Sequence, residues 1–244
     1  MPLLFGVLSI VGVAAFRILF LSIFFAVLIS LNAQTTFVAS ADSRNQATFE
    51  SNAPLEDIVG VSNQVEAVAM IDINDLSNSK GKVTVDLTHL KTGIDLRDQH
   101  LSSEMWLNTS EFPHAVFALN KISGASKLTD GKKANVKLHG TFTVHGVTND
   151  IVANGEITYF KESDATKNRI AGNLLKVSTE FDIKLSDYGV EIPSMVAGKV
   201  DEVIKVSTNF VATDSGSKMA GCNPCGVDKC NPCSPKAKCN PCGI

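Results

Sequence analysis

The chain has 244 residues, of which 44% are hydrophobic, 7% aromatic and 19% charged. This composition is typical of a folded globular protein, and it excludes a chain that is disordered throughout or too short to bury a core without metals or disulfides. The formal net charge is −3, and residues 34–212 contain 17 basic and 23 acidic residues, so no basic surface for nucleic acid is expected.

The first predicted element is a secretory signal over residues 1–33. Its only charged residue, Arg17, separates two apolar runs, each shorter than the roughly 20 residues that a membrane-spanning helix needs. The second run ends in a segment typical of a cleavage site, so the mature chain is predicted to begin at Gln34. An uncleaved N-terminal anchor is the alternative. Export predicts a periplasmic or secreted protein.

Alternation of apolar and polar residues dominates the chain after the signal segment. Val83, Val85 and Leu87, for example, are separated by polar residues. Because successive side chains of a strand point to opposite faces, such runs predict strands with one buried and one solvated face. The other apolar sets that alternate in this way are Val65, Ala67, Ala69, Ile71 and Ile73; Val136, Leu138, Gly140, Phe142 and Val144; Leu175, Val177, Phe181 and Ile183; and Ile204, Val206 and Phe210.

Turn residues rich in Gly, Asn, Asp and Ser separate these runs, which predicts eight or nine strands. There is one short helical candidate, at about Asp98 to Asn108. This pattern favours an all-β, antiparallel barrel or sandwich. A barrel of about eight strands encloses space for side chains or one slender ligand. Small residues at inward positions predict that this space stays open; they are Ala67, Ala69, Gly140, Ala153 and Gly155.

Three segments carry motifs of a known family. Residues 95–107 read DLRDQHLSSEMWL and precede FPHAVF at 112–117; residues 138–148 read LHGTFTVHGVT; and residues 184–193 read KLSDYGVEIP. In their order and spacing these segments resemble the signature of YceI-like proteins, and the resemblance extends over about 35–212. It does not include the cysteines that follow.

The resemblance implies an antiparallel, eight-stranded, lipocalin-like barrel with one short helix. It also implies an exported, non-enzymatic protein that holds a long amphiphile, a polyisoprenoid or a fatty-acyl derivative, in the barrel lumen. Alternation then predicts which apolar residues contact the ligand: Val83, Val85, Leu87, Phe117, Leu119, Phe142, Val144, Phe181, Ile183 and Phe210.

Two polar residues near the helical candidate are predicted to hold the ligand's head group. Arg97 and His100 lie beside an apolar turn, and a guanidinium is suited to phosphate or carboxylate. The alternative is structural, with Arg97 paired to Asp98 or Glu104 and His100 as a hydrogen-bonding residue. No catalytic motif is present, so the protein is not expected to be an enzyme.

The histidines do not suggest a metal site. His139 and His145 share the polar face of one predicted strand, but six residues at ~3.3 Å each place them ~20 Å apart. They are therefore predicted to be solvated residues at the barrel rim.

The composition changes after Ala212. Residues 213–221 are predicted to be a flexible linker, and residues 222–244 form a tail with three C-N-P-C repeats. Its six cysteines are Cys222, Cys225, Cys230, Cys233, Cys239 and Cys242. The repeats predict thiolate binding of a soft ion, Cu(I) or Zn(II). Dithiol–disulfide exchange and inert disulfides are the alternatives.

The sequence thus predicts four parts: the signal at 1–33, a barrel at 34–212, a linker at 213–221 and a thiol tail at 222–244. The predicted function is an exported carrier of an apolar ligand whose tail binds a soft metal. The alternative is a periplasmic redox or metal-handling protein in which the tail is active and the barrel is a scaffold. Transient contact with a membrane or a redox protein, and a homodimer, are compatible with either function.

Overall fold

A computed structural model of the chain describes residues 34–42 and 44–216. The predicted signal segment and the cysteine tail lie outside these residues. Within them, no helix combines the length and the apolar composition needed to cross a membrane.

Antiparallel strands make up most of the described chain. They are β1 Thr35–Ala39, β2 Gln46–Asn52, β3 Asp57–Ser62, β4 Val65–Asp72, β5 Asp75–Asp86, β6 His114–Ser123, β7 Lys133–Val144, β8 Val147–Phe160, β9 Leu174–Lys184 and β10 Val203–Thr213. One α-helix, α1 Asp95–Ser102, lies between β5 and β6, and short 3-10 helices occur at Leu87–His89, Ser186–Tyr188 and Ser194–Val196.

The strands form one sheet in the order β1-β4-β5-β6-β7-β8-β9-β10-β2-β3, and β1 also pairs with β10. This last pairing, Val38 with Thr213, closes β1 and β4–β10 into an eight-stranded barrel. The predicted all-β, eight-stranded antiparallel barrel with one helix is therefore confirmed. The predicted faces also hold, because residues on the buried side alternate with exposed ones along β4 and β7.

The β2–β3 hairpin extends the barrel wall at one end and leaves a weak seam. β2 continues along β10, whereas β3 has β2 as its only neighbour in the sheet. On its other side, Val61 exchanges two backbone hydrogen bonds with Lys91, at 2.8 and 2.9 Å. The Ser62 hydroxyl donates to the Asp86 carbonyl at 2.9 Å.

The two ends of the barrel differ. One end carries the β2–β3 turn, the long β5–β6 connection with α1, and the β9–β10 connection. At the other end, large buried side chains pack between the strand turns and form a floor: Phe37, Leu76, Leu128 and Tyr159.

The helix and the linker differ from their predicted bounds. The helix begins at Asp95 and ends at Ser102, because Ser103 is extended and its hydroxyl donates to the His100 carbonyl at 2.6 Å. The predicted linker started at 213, but β10 runs through Thr213. Asp214 is buried and accepts two hydrogen bonds from Asn173, at 2.9 and 2.7 Å.

Candidate functional site

A cavity of about 480 Å³ occupies the barrel interior. It reaches the end that carries α1, where Leu101, Trp106 and Leu107 are among its lining residues, and this end is called the mouth. None of the floor residues lines it. The cavity therefore runs from the mouth towards a closed floor, as a lumen that the protein's own side chains leave open.

All twelve predicted ligand-binding residues line this cavity. They are Val83, Val85, Leu87, Arg97, His100, Phe117, Leu119, Phe142, Val144, Phe181, Ile183 and Phe210. Alternation along the strands was sufficient to find the apolar ten, since closure of the barrel turns every buried face to the same space. Their contact with a ligand remains a prediction.

Aromatic rings gather in the half of the lumen nearer the mouth. The Phe142 ring lies edge-on to Phe181 and to Tyr188, with centroid distances of 5.1 and 5.7 Å. Phe117 lies 6.4 Å from Phe181. Such edge-to-face arrangements are favourable beyond the area that they bury. We call these four residues the aromatic collar. Burial raises the pKa of the Tyr188 hydroxyl, so the collar is uncharged at neutral pH.

Arg97 has a different partner from those predicted. Its Nη1 lies 2.6 Å from Glu56 Oε1, and its Nε donates to the Thr92 hydroxyl at 3.0 Å. Neither Asp98 nor Glu104 pairs with it. Glu56 belongs to the β2–β3 turn, so no local spacing in the sequence could reveal this pair. The ion pair faces the mouth and leaves the guanidinium charge balanced.

Asp98 instead fastens the loop that precedes α1. Its Oδ1 accepts from the Thr92 backbone N–H at 2.8 Å and from the Thr92 hydroxyl at 2.6 Å, and Lys91 Nζ lies 3.6 Å from Oδ2. The hydrogen bond from the Thr92 hydroxyl is the main influence that lowers the pKa of Asp98, and it outweighs the desolvation that raises it. The predicted His100 is exposed at the mouth, and so is Lys199, which the sequence analysis did not identify.

Comparison with known proteins identifies this architecture. Residues 37–212 match the YceI-like domain. The chain belongs to the YceI-like family. A UPF0312 protein of Shewanella denitrificans is 26% identical over 151 residues, which cover 61% of this chain and 73% of the relative. Protein YceI of Escherichia coli O6:H1 is 25% identical over 150 residues, covering 61% and 72%.

Solved structures show the same fold. BcnA of Burkholderia cenocepacia superposes with a TM-score of 0.55 at 15% identity, over 71% of this chain and all (100%) of BcnA. A polyisoprenoid binding domain from Saccharophagus degradans, implicated in plant cell wall breakdown, also gives 0.55 at 15% identity, over 74% and 98%. These likenesses show that the chain shares the barrel fold of both proteins.

The small inward residues of this YceI-like barrel differ in what they contribute. Ala67, Ala69 and Ala153 line the cavity, whereas Gly140 and Gly155 do not. A Cβ at Gly140 would overlap the Ala118 carbonyl oxygen and lie 2.8 Å from the Phe117 ring. The prediction that these two glycines keep the lumen open was therefore wrong, because the Ala118 carbonyl and the Phe117 ring cover Gly140, and the side chains of Leu138 and Val136 cover Gly155.

His139 and His145 each form a hydrogen bond within the wall of the YceI-like barrel. His139 Nε2 lies 2.8 Å from the Ser123 hydroxyl. His145 is not in β7 but in the two-residue turn to β8, where it and Gly146 both have positive φ, 52° and 75°, as a type I′ hairpin turn requires. Its Nδ1 lies 3.0 Å from the Tyr188 carbonyl oxygen. Among the described residues, no three His, Cys, Asp or Glu residues are arranged to hold a metal ion.

Proposed function

We propose that this protein is an exported carrier that holds the chain of an isoprenoid-like or fatty-acyl amphiphile in its barrel lumen. One observation carries the proposal: the barrel encloses a cavity of about 480 Å³ that is lined mainly by apolar side chains and opens at one end. A space of this size falls within the range of small-molecule sites in proteins, about 300–1,000 Å³. The matched polyisoprenoid binding domain supports the ligand class.

The energetics of such a lumen favour long chains. Each buried methylene contributes about 0.8 kcal/mol, which corresponds to about fourfold in affinity. The charged residues that line the cavity belong to the mouth connections, except Lys82 of β5, which is exposed, so no buried charged side chain is present to hold an anion deep in the lumen. The polar end of an amphiphile therefore belongs at the mouth, near Arg97, His100 and Lys199.

The balance of charge at the mouth limits what Arg97 can do. Because Glu56 already pairs with its guanidinium, a negatively charged head group would have to compete with that carboxylate. His100 and Lys199 are exposed and are better placed to meet the head group. We propose that these two side chains contact the polar end of the ligand, whereas the Arg97–Glu56 pair mainly holds the β2–β3 turn against the mouth.

Native mass spectrometry of the purified protein, with solvent extraction of the bound molecule, tests the proposal. We expect the wild type to retain an apolar chain molecule and, once stripped, to bind fatty acids about fourfold more tightly per added methylene until the lumen is full. Val83→Trp, which fills the lumen, should abolish this binding. Val152→Trp is the control, since Val152 lies on the outer wall and is 51% exposed. Equal binding by both variants would contradict the proposal.

We also propose that the thiol tail binds a soft metal ion, a prediction that rests on the C-N-P-C repeats alone. Titration of the reduced full-length chain with Cu(I) or Zn(II) should give thiolate–metal absorption and a loss of free thiols. Deletion of residues 222–244 should remove both signals and leave lipid binding intact. If the full-length chain shows neither signal, the tail does not chelate these ions.

A further inference from the structure

Among the residues that the structure describes, two threonine hydroxyls in the lumen have no hydrogen-bond partner. Five serine or threonine residues line the cavity: Thr48, Ser51, Thr92, Thr179 and Thr208. The first three are satisfied, because Thr48 pairs with Ser207 at 2.5 Å, Ser51 accepts from the Asp201 backbone N–H at 2.8 Å and Thr92 donates to Asp98. Within the described part of the chain, Thr179 and Thr208 have no side-chain hydrogen-bond partner.

These two residues form one polar spot on the wall. Thr179 of β9 and Thr208 of β10 are directly paired in the strand register. Directly opposed residues of an antiparallel pair have Cβ atoms about 4.5–5.5 Å apart, which is close enough for one polar group to contact both hydroxyls. Thr208 is only 7% exposed and Thr179 is half-buried.

The spot lies deep in the lumen. On the mouth side it adjoins Phe181 of the aromatic collar and Val206, and on the floor side it adjoins Val177 and Phe210. The residue beside Thr208 on β2 is Ala47, whose small side chain also lines the cavity. The hydroxyls are thus surrounded by apolar groups, with room beside them.

A hydroxyl in apolar surroundings is unfavourable unless it forms a hydrogen bond. When a guest chain fills the lumen and displaces water, a hydrogen bond between the two threonines would use only one of their two O–H groups, so the other needs an acceptor on the guest. A hydroxyl group both donates and accepts, so the pair suits an alcohol, ether or carbonyl oxygen.

We infer that Thr179 and Thr208 bind an oxygen-bearing group on the inner part of the ligand chain, below the aromatic collar. The site would therefore prefer chains that are oxygenated at one depth over plain hydrocarbon chains. This inference rests on the proposed function and adds the substrate class to it.

Binding of stripped protein to stearic acid and to hydroxystearic acids, with the hydroxyl at successive positions, tests the inference. For each isomer, its affinity is divided by the affinity of stearic acid. We expect this ratio to be about two- to tenfold higher for one isomer than for the others, which is the effect of one net hydrogen bond. The near-isosteric variants Thr179→Val and Thr208→Val should each reduce this preference, measured as the ratio of the hydroxystearic acid affinity to the stearic acid affinity of the same variant.

Thr141→Val is the matched control, since Thr141 lies on the outer face of β7 between lumen-facing residues, and it should keep the preference. If stearic acid and all the hydroxystearic acids bind without preference for one hydroxyl position, this inference alone is overturned, and the two hydroxyls bind only water. A preference that survives both valine variants would also overturn it. If no chain binds at all, the proposed function fails as well.

Discussion

Asp98 shows how a single buried carboxylate organises the mouth. Its carboxylate accepts hydrogen bonds from the backbone N–H and the hydroxyl of Thr92, and it lies near the Lys91 ammonium group. The Lys91 backbone in turn is hydrogen-bonded to Val61 of β3. The Asp98 side chain therefore links α1 to the seam in the barrel wall. A lowered pKa means that the folded state prefers the ionised carboxylate.

Replacement of Asp98 by alanine should destabilise the protein by about 1–3 kcal/mol, because the Thr92 donors lose their acceptor. Urea unfolding measures this loss. The lowered pKa also predicts that the stabilisation is complete above the ordinary pKa of 3.8 and disappears as the pH falls below it. As the pH falls below 3.8, the free energy of unfolding of the variant should accordingly decrease less than that of the wild type. Asp95→Ala, at an exposed position of the same helix, should change stability by no more than about 0.5 kcal/mol.

At the scale of single strands, the β6–β7 ladder depends on a glycine. Gly140 pairs with Leu119 next to a register shift in β6, and the Ala118 carbonyl approaches it closely. Gly140→Ala should therefore destabilise the barrel by at least about 1–3 kcal/mol, the usual range for overpacking, as measured by thermal or urea unfolding. Gly155→Ala should be milder, since its nearest neighbours are the side-chain ends of Leu138 and Val136 at 3.2 Å. Equal losses in the two variants would contradict this explanation.

Sequence alternation could predict the strands and the face that lines the lumen, because the side chains of a strand alternate between its two faces regardless of which strands lie beside it. It could not predict the Arg97–Glu56 pair, which joins two connections far apart in the chain. It also missed the close packing over Gly140, since the pattern shows which way a residue points and not how near the next strand comes. The end of α1 at Ser102 depends on a local serine hydrogen bond that competes with helix continuation.

For the whole molecule, the distribution of exposed apolar side chains is asymmetric. Connections at the mouth carry five large ones: Leu55, Ile94, Leu96, Met105 and Met195, which are 73%, 52%, 61%, 61% and 83% exposed. No exposed large hydrophobic residue occurs in the described connections at the floor end. The mouth connections also carry nine acidic and three basic residues, so their charge opposes an anionic surface.

A carrier that loads from a membrane through this end should bind zwitterionic phosphatidylcholine vesicles, and should bind anionic vesicles less at low salt. Leu96→Gln combined with Met195→Gln should reduce co-sedimentation with the vesicles, since both side chains leave apolar surface in water. Val152→Gln, on the outer wall, should have no effect. A stronger preference for anionic vesicles would refute this mode of loading.

Few interactions hold the barrel wall together at the seam between β3 and the segment after β5. Twelve residue pairs join β7 to β8, whereas the seam is spanned by two backbone hydrogen bonds between Val61 and Lys91, one serine hydroxyl and the Arg97–Glu56 pair at the hairpin turn. Local opening proceeds where the fewest interactions must break. Local opening of the barrel will therefore occur mainly at the seam, next to α1. The strands on the opposite side, β7 and β8 among them, will stay paired.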